Sequence, residues 1–182
     1  MKMEKQIVSS QQFGIMIERL AHQLIENHGD FSDTILVGIQ PRGVEFSKRI
    51  LEKLNQISSN NIQSGNLDIT FFRDDFGRRD VPIEAQELDM NVSVEGKRVV
   101  LIDDVLFTGR SIRSAMDALL SFGRPKQVEL MVLIDRRLTR HLPIHPNYVG
   151  RTVDTILEEK VIVRWESSQS EDKIILINSE NE

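Results

Sequence analysis

The chain has 182 residues, 40% of them hydrophobic, and a formal net charge of −5. This suits one domain with a buried core, and the acidic balance argues against strong non-specific nucleic-acid binding while leaving room for a local basic patch. There is no cysteine, which excludes disulfides and zinc–thiolate sites; no run approaches 18 apolar residues and Met1–Lys5 lacks the apolar core of a signal peptide, so the expected location is the cytosol.

In chain order, residues 10–28 read as an amphipathic helix, with Phe13, Ile17, Leu20 and Leu24 at helical spacing. Ser9 and Gln12 have capping-box spacing, and Gly29 is a stop. Arg19 and His22 fall off the centre of the apolar stripe. Thr34–Gln40 reads as a buried strand, broken by Pro41-Arg42-Gly43, and Val44–Leu54 as a helix. Gly38 and Gly43 have the spacing of Walker glycines, but Val44-Glu45 follow where Lys and Ser or Thr are needed. The alternative is a loop whose N–H groups bind pyrophosphate, with Arg42 adding charge or holding the loop. Residues 55–66 are turn-rich and read as a surface connection. Leu67–Phe72 alternates like a half-buried strand. Residues 73–95 are charged and aperiodic, a long loop of the functional or mobile kind, in which Val92 and Val94 form a short strand pairing with Leu67–Phe72.

The next stretch organises the chain. Val99–Ile102 is a short apolar run suited to a buried strand, and Asp103 and Asp104 stand side by side where it should end. Thr108, Gly109 and Ser111 form a short loop, and Arg110–Phe122 has a helical pattern stopped by Gly123 and Pro125. Ligands of open α/β sheets bind outside the carboxyl ends of strands, and a helix N-terminus attracts anions. Two acids therefore sit beside a phosphate cup, which suits a sugar phosphate with its hydroxyls or Mg²⁺ on the acids. Val128–Ile134 is another buried strand, ending at Asp135-Arg136-Arg137. Residues 136–151 are the most basic region and, with Pro143 and Pro146, mostly a loop. His141 and His145 lack a metal-ligand pattern. Val161–Trp165 and Lys173–Ile177 read as a closing hairpin. Strands alternating with helices from 34 to 134 imply parallel βαβ units with helices on both faces. The loops near 38–43 and 103–111, with Asp135, then open on one crevice.

Val99–Ser111 resembles the signature that type I phosphoribosyltransferases use to bind 5-phosphoribosyl-1-diphosphate (PRPP), and the spelling Asp103-Asp104-Val105-Leu106-Phe107-Thr108-Gly109-Arg110 is similar to the PyrR family. The likeness runs from about Ile7 to Arg164. It includes Ile35–Ile39 with Arg42-Gly43, Asp68-Ile69-Thr70 with Arg73-Asp74-Asp75, Gly123-Arg124-Pro125, Leu142-Pro143-Ile144 and Tyr148-Val149-Gly150.

The resemblance implies one phosphoribosyltransferase domain over 1–182, of the type I fold. Its central, mostly parallel sheet is flanked by helices, with a flexible loop or hairpin at about 73–95 and a small hood. It implies a uracil phosphoribosyltransferase making UMP and pyrophosphate from uracil and PRPP with Mg²⁺, and a homodimer or homotetramer. It also implies a second activity: binding pyrimidine-operon mRNA, promoted by uridine nucleotides (UMP, UTP), to terminate transcription. Asp103 and Asp104 would hold the ribose hydroxyls, directly or through Mg²⁺, with Arg73 as a further catalytic residue. Val105, Leu106, Phe107, Thr108, Gly109, Arg110 and Ser111 would form the 5′-phosphate loop. Gln40, Pro41, Arg42 and Gly43 would face pyrophosphate. Arg136, Val161 and Ile162 would read the base, and Arg19, His22, Arg140 and Arg151 would contact RNA. Departures from the pattern fall mainly on the RNA side: Glu18 stands where RNA-binding members tend to carry Thr, Pro41 replaces Thr, His145 stands where Arg is common, and 135–142 is one residue longer. The rivals are an RNA-binding nucleotide sensor with vestigial catalysis, and a purine or orotate phosphoribosyltransferase of the same fold.

Overall fold

A computed structural model describes residues 4–74, 93–156, 158–165 and 171–178. After strand β1 (Glu4–Val8), helix α1 (Ser10–His28) starts on the capping box: Ser9 Oγ accepts from the Gln12 N–H, and Gln12 Oε1 accepts from the Ser9 N–H at 3.0 Å. Then come β2 (Thr34–Ile39), α2 (Arg42–Ile57), β3 (Gln63–Leu67), β4 (Arg98–Leu106), α3 (Arg110–Leu119), β5 (Gln127–Arg136) and β6 (Tyr148–Val153). They build a five-stranded, wholly parallel sheet in the order β3-β2-β4-β5-β6. A second sheet, β1-β8-β7, is antiparallel, with β7 at Glu159–Arg164 and β8 at Lys173–Asn178.

Strand periodicity divides the core in two. Leu36, Val100, Ile102, Met131 and Leu133 face α1 and α2, joined by Val161 and Ile174 of the small sheet. Ile35, Val37, Val99, Leu101 and Val132 face α3, whose Ile112, Ala115 and Leu119 cover them. The chain leaves β2 through α2 toward β3 at one edge, then returns to β4 and proceeds through α3 to β5. Helices after neighbouring strands β2 and β4 therefore lie on opposite faces. The loops after those strands diverge, and a crevice opens between them at the point where strand order reverses.

At the opposite end of the sheet, buried His28 lies 3.0 Å from both Thr34 Oγ1 and the Tyr148 hydroxyl, which donates to Glu129 at 2.6 Å. These bonds satisfy polar groups that would otherwise be costly to bury, and they tie the end of α1 to the starts of β2, β5 and β6.

Four sequence expectations are corrected. The connection at 55–66 contains most of β3, an edge strand held by backbone pairing to β2 despite its polar Ser64-Gly65-Asn66. Leu67–Phe72 is not one strand: Asp68 Oδ1 accepts from the Thr70 N–H at 2.8 Å, and this Asx turn curls Thr70–Phe72 into a 3-10 turn. Val94 is buried in the core outside any strand, while Val92 and most of the 73–95 loop lie outside the described residues. The basic loop at 136–151 gives way to β6 from Tyr148, paired to β5.

Gly43 lies in the first turn of α2, where an added Cβ would overlap the Ile102 carbonyl oxygen and approach Asp103 Cα to 3.2 Å. A side chain there must push α2 off β4. Gly43→Ala is expected to cost about 1–3 kcal/mol, read as a lower midpoint in thermal unfolding; an unchanged midpoint would contradict this packing.

Candidate active site

The acids sit within β4, not beyond it: the strand continues to Leu106, and Asp103 pairs with Val132 of β5. Inside a central parallel strand both are largely shielded from water, and Asp104 is buried. Burial pushes both carboxyls above the usual carboxylate range, and for Asp103 the neighbouring Asp104 charge adds to it. Arg42, brought close by the Gly43 contact, pulls both back in part. The Asp104 N–H donates to Asp103 Oδ1 at 3.0 Å.

The loop from Phe107 to Gly109 is held from outside. Arg140 donates to the Phe107 carbonyl at 2.6 Å and pairs with Asp135, while the N–H groups of His141 and Leu142 reach the Thr108 carbonyl. Gly109 has φ +92°, a conformation that favours glycine, and Ile144 lies 3.2 Å from where its Cβ would stand. Gly109 is also the N-cap of α3 and supplies no side chain, as Pro41 supplies no capping bond for α2. Two helix N-termini therefore present backbone N–H groups beside the acids, the α3 one carrying only a 3.4 Å bond from the Arg110 N–H to Thr108 Oγ1. The Arg110 side chain turns away, donating to Asp74 at 2.6 Å. That bond, with those from Arg113, holds the Asp74 carboxyl below its usual range.

These elements enclose a cleft of about 640 Å³. Gln40, Pro41 and Arg42 form one wall, Asp103, Asp104 and Val105 the floor, and Phe107 and Ser111 a further side. Arg73 reaches it from the segment after β3, and Arg136, Val161 and Ile162 close it from β5 and the small sheet. Arg136 is fixed: it donates to Thr155 Oγ1 at 2.7 Å and to the Ile156 carbonyl at 2.8 Å, and its guanidinium lies 4.0 Å from the centre of the Phe107 ring. Asp103, Asp104, Arg73, Gln40, Pro41, Arg42, Arg136, Val161 and Ile162 thus line one cleft, whereas Gly43 is buried against β4. Leu106 is core. Arg140 is spent on Asp135 and Phe107, whereas Arg19 and Arg151 lie elsewhere, on α1 and β6, bonded to the Val149 and Gly150 carbonyls and to the Ile7 carbonyl respectively. Sequence reasoning missed Lys160, Ile69 and Thr70, which also line the cleft. Their spacing carries no signal, because the second sheet and the Asx turn bring them there.

The phosphoribosyl transferase domain family matches residues 3–167. The bifunctional protein PyrR of Haemophilus ducreyi is 43% identical over 179 residues, 98% of this chain and 99% of that one. The one from Chloroflexus aurantiacus is 41% identical over 96% and 95%. This chain belongs to the PyrR family. Among solved structures, the hypoxanthine phosphoribosyltransferase of Trypanosoma cruzi matches with a TM-score of 0.72 at 15% identity, over 96% of each chain. That of Staphylococcus aureus gives 0.65 at 20%, over 82% of this chain and 77% of that one. The PyrR family chain therefore has the type I phosphoribosyltransferase fold, with a five-stranded parallel sheet between helices.

Among the described residues no helix is long and apolar enough to cross a membrane, and no group of three or more His, Cys, Asp or Glu could hold a metal. Asp103 and Asp104 offer hard oxygen donors but too few to cage an ion. That donor set fits Mg²⁺ carried largely by substrate phosphates and water.

Raised carboxyl pKa values contribute stability below the ordinary value of about 4 and lose it as pH rises through the raised ones. Asp103→Asn with Asp104→Asn, melted in EDTA, is expected to unfold about 3–6 °C above the parent at pH 8, with the gap closing toward pH 5. An equal or lower midpoint at pH 8 would contradict the charge burial.

Proposed function

We propose that this chain is a uracil phosphoribosyltransferase whose site is the crevice between β2 and β4, and that it also regulates pyrimidine-operon transcription in the cytosol. The observation that carries the catalytic reading is the shielded acid pair within β4, in a cleft that Arg42 and Arg73 also line. Uracil N1 forms a bond to the anomeric carbon of PRPP, the bond from that carbon to the diphosphate oxygen breaks with its electron pair leaving on pyrophosphate, and the N1 proton passes to solvent water. The transition state carries oxocarbenium-like positive charge, as in glycoside cleavage. Asp103 and Asp104 hold the ribose hydroxyls, and their negative charge stabilises that cation. The backbone of Thr108–Ser111 cradles the 5′-phosphate, and Gln40–Gly43 with Arg73 hold the departing pyrophosphate. Asp103 and Asp104, together with the substrate's phosphates, would hold Mg²⁺, which would supply charge neutralisation at those phosphates. Arg136, Lys160 and the backbone of Val161 and Ile162 border the base.

The second reading, RNA binding, is favoured by a separate observation. Arg19, His22 and Arg151 are exposed on the α1–β6 surface, apart from the cleft, where Arg19 bonds the carbonyl next to Arg151. Arg140 is not part of that surface by its bonds, and the Glu18 carboxylate opposes phosphate there. Assembly into a dimer or tetramer would repeat the surface on one particle.

Pyrophosphate release from PRPP and Mg²⁺ is expected with uracil and not with hypoxanthine, adenine, guanine or orotate. Asp103→Asn with Asp104→Asn should lower it at least about 100-fold. Release with a purine or orotate would overturn the base assignment. Protein loaded with UMP or UTP should shift its own operon leader in a gel, and Arg19→Ala with Arg151→Ala should weaken that shift about tenfold; no specific shift of the parent at physiological salt would remove the regulator reading.

A further inference from the structure

Arg73 reaches the cleft from an irregular segment, and the groups that fix this segment lie on α3. Arg113 donates through one Nη to the Phe72 carbonyl at 3.2 Å and to the Asp74 carboxylate. Arg110 donates to the other oxygen of Asp74 at 2.6 Å. Asp117, one turn on, takes the second Nη of Arg113 at 2.7 Å and orients it. The residues on both sides of Arg73 are therefore stapled to the first turns of a helix whose Ile112, Ala115 and Ala118 are buried in the core. On the upstream side, the Asp68–Thr70 turn and the Phe72 N–H bond to the Ile69 carbonyl at 3.0 Å hold the same segment. Arg73 lines both the cleft and a neighbouring recess of about 150 Å³ shared with Asp74, Arg110 and Ser114.

We propose that Asp74 and Arg113 are positioning residues that hold Arg73 at the pyrophosphate end of the cleft. The inference rests on the phosphoribosyl-transfer reading above and assigns to this pair a role in it. Two facts separate positioning from the alternatives. First, the side chains of Asp74 and Arg113 are 35% and 38% exposed, and ion pairs that open to water add little to fold stability. Second, the sign of the charge is wrong for direct help: an acid at the N-terminal turn of α3 weakens the positive field that favours a phosphate there. If Asp74 acted through charge alone, removing it would tighten PRPP binding. If it acts through Arg73, removing it loosens binding.

The test is a double-mutant cycle on PRPP binding with Mg²⁺, measured by calorimetry, with kcat and the KM values for PRPP and uracil measured alongside. Arg73→Ala is expected to weaken PRPP about 10- to 100-fold, and Asp74→Asn and Arg113→Ala about 3- to 10-fold each. The KM for uracil should stay within about twofold, and melting temperatures within about 3 °C. In the Arg73→Ala background, Asp74→Asn should change PRPP affinity less than about twofold, because the group it positions is gone. Tighter PRPP binding by Asp74→Asn, or a full and independent loss in the Arg73→Ala background, would overturn the positioning role. A parent protein that binds no PRPP would instead overturn the reading of the site on which it rests.

Discussion

Two carboxylates at consecutive positions of a central parallel strand are the constraint around which the cleft is arranged. A strand buried on both faces is the place where charge is most expensive, and β4 carries Asp103 and Asp104 there. Their burial is tolerable because each holds its proton more tightly than a free carboxyl does and because Arg42 stands close. Arg42 is close because Gly43 lets α2 touch the β4 backbone. The switch of strand order between β2 and β4 opens the crevice these groups share. The cleft is lined by Arg42, Arg73, Arg136 and Lys160 as well as the two acids. On the proposed reading, its cations meet the phosphates of a substrate and its acids the sugar carbon between them. An arrangement that costs stability when empty and recovers it when a cationic transition state or a metal-bound substrate arrives is what differential binding requires.

The structure also shows how the two ends of the sheet divide their work. The carboxyl end is built of loops and helix N-termini, where backbone N–H groups face outward. The amino end is sealed by His28, Thr34, Tyr148 and Glu129, all paired with one another. Arg140 belongs to the first end: it bonds Asp135 and the Phe107 carbonyl, so its positive charge is spent beside the cleft rather than on the α1–β6 surface. The fold itself is shared with hypoxanthine phosphoribosyltransferases at 15–20% identity.

Much of this was legible in the sequence wherever a local rule had physical force. The capping box at Ser9 and Gln12, the apolar run of β4 and the glycine before α3 each act over a few residues, and each stands where the pattern put it. Arg136, Val161 and Ile162, which only the family resemblance pointed to, line the same cleft as Gln40–Arg42 and Arg73. What failed depended on partners distant in the chain. β3 is polar and turn-like by composition, and only pairing with β2 makes it a strand. β1 exists because β8 lies beside it. Lys160 faces the cleft because the second sheet leans over the first, which no local spacing encodes. The end of β4 was misjudged because charge was taken to end a strand, whereas backbone pairing with β5 carries it through both acids.

The most direct test of the buried pair as the substrate site is a proton count. Binding of PRPP with Mg²⁺ should be measured by calorimetry at pH 7 in two buffers of different ionisation enthalpy. Carboxyls that burial causes to hold their protons more tightly in the empty cleft release them when a metal-bound substrate favours the charged form. Expected is a net release of about 0.5–1 proton per site, abolished by Asp103→Asn with Asp104→Asn. The same binding heat in both buffers, or a release that survives the double substitution, would contradict the assignment of the substrate to this pair.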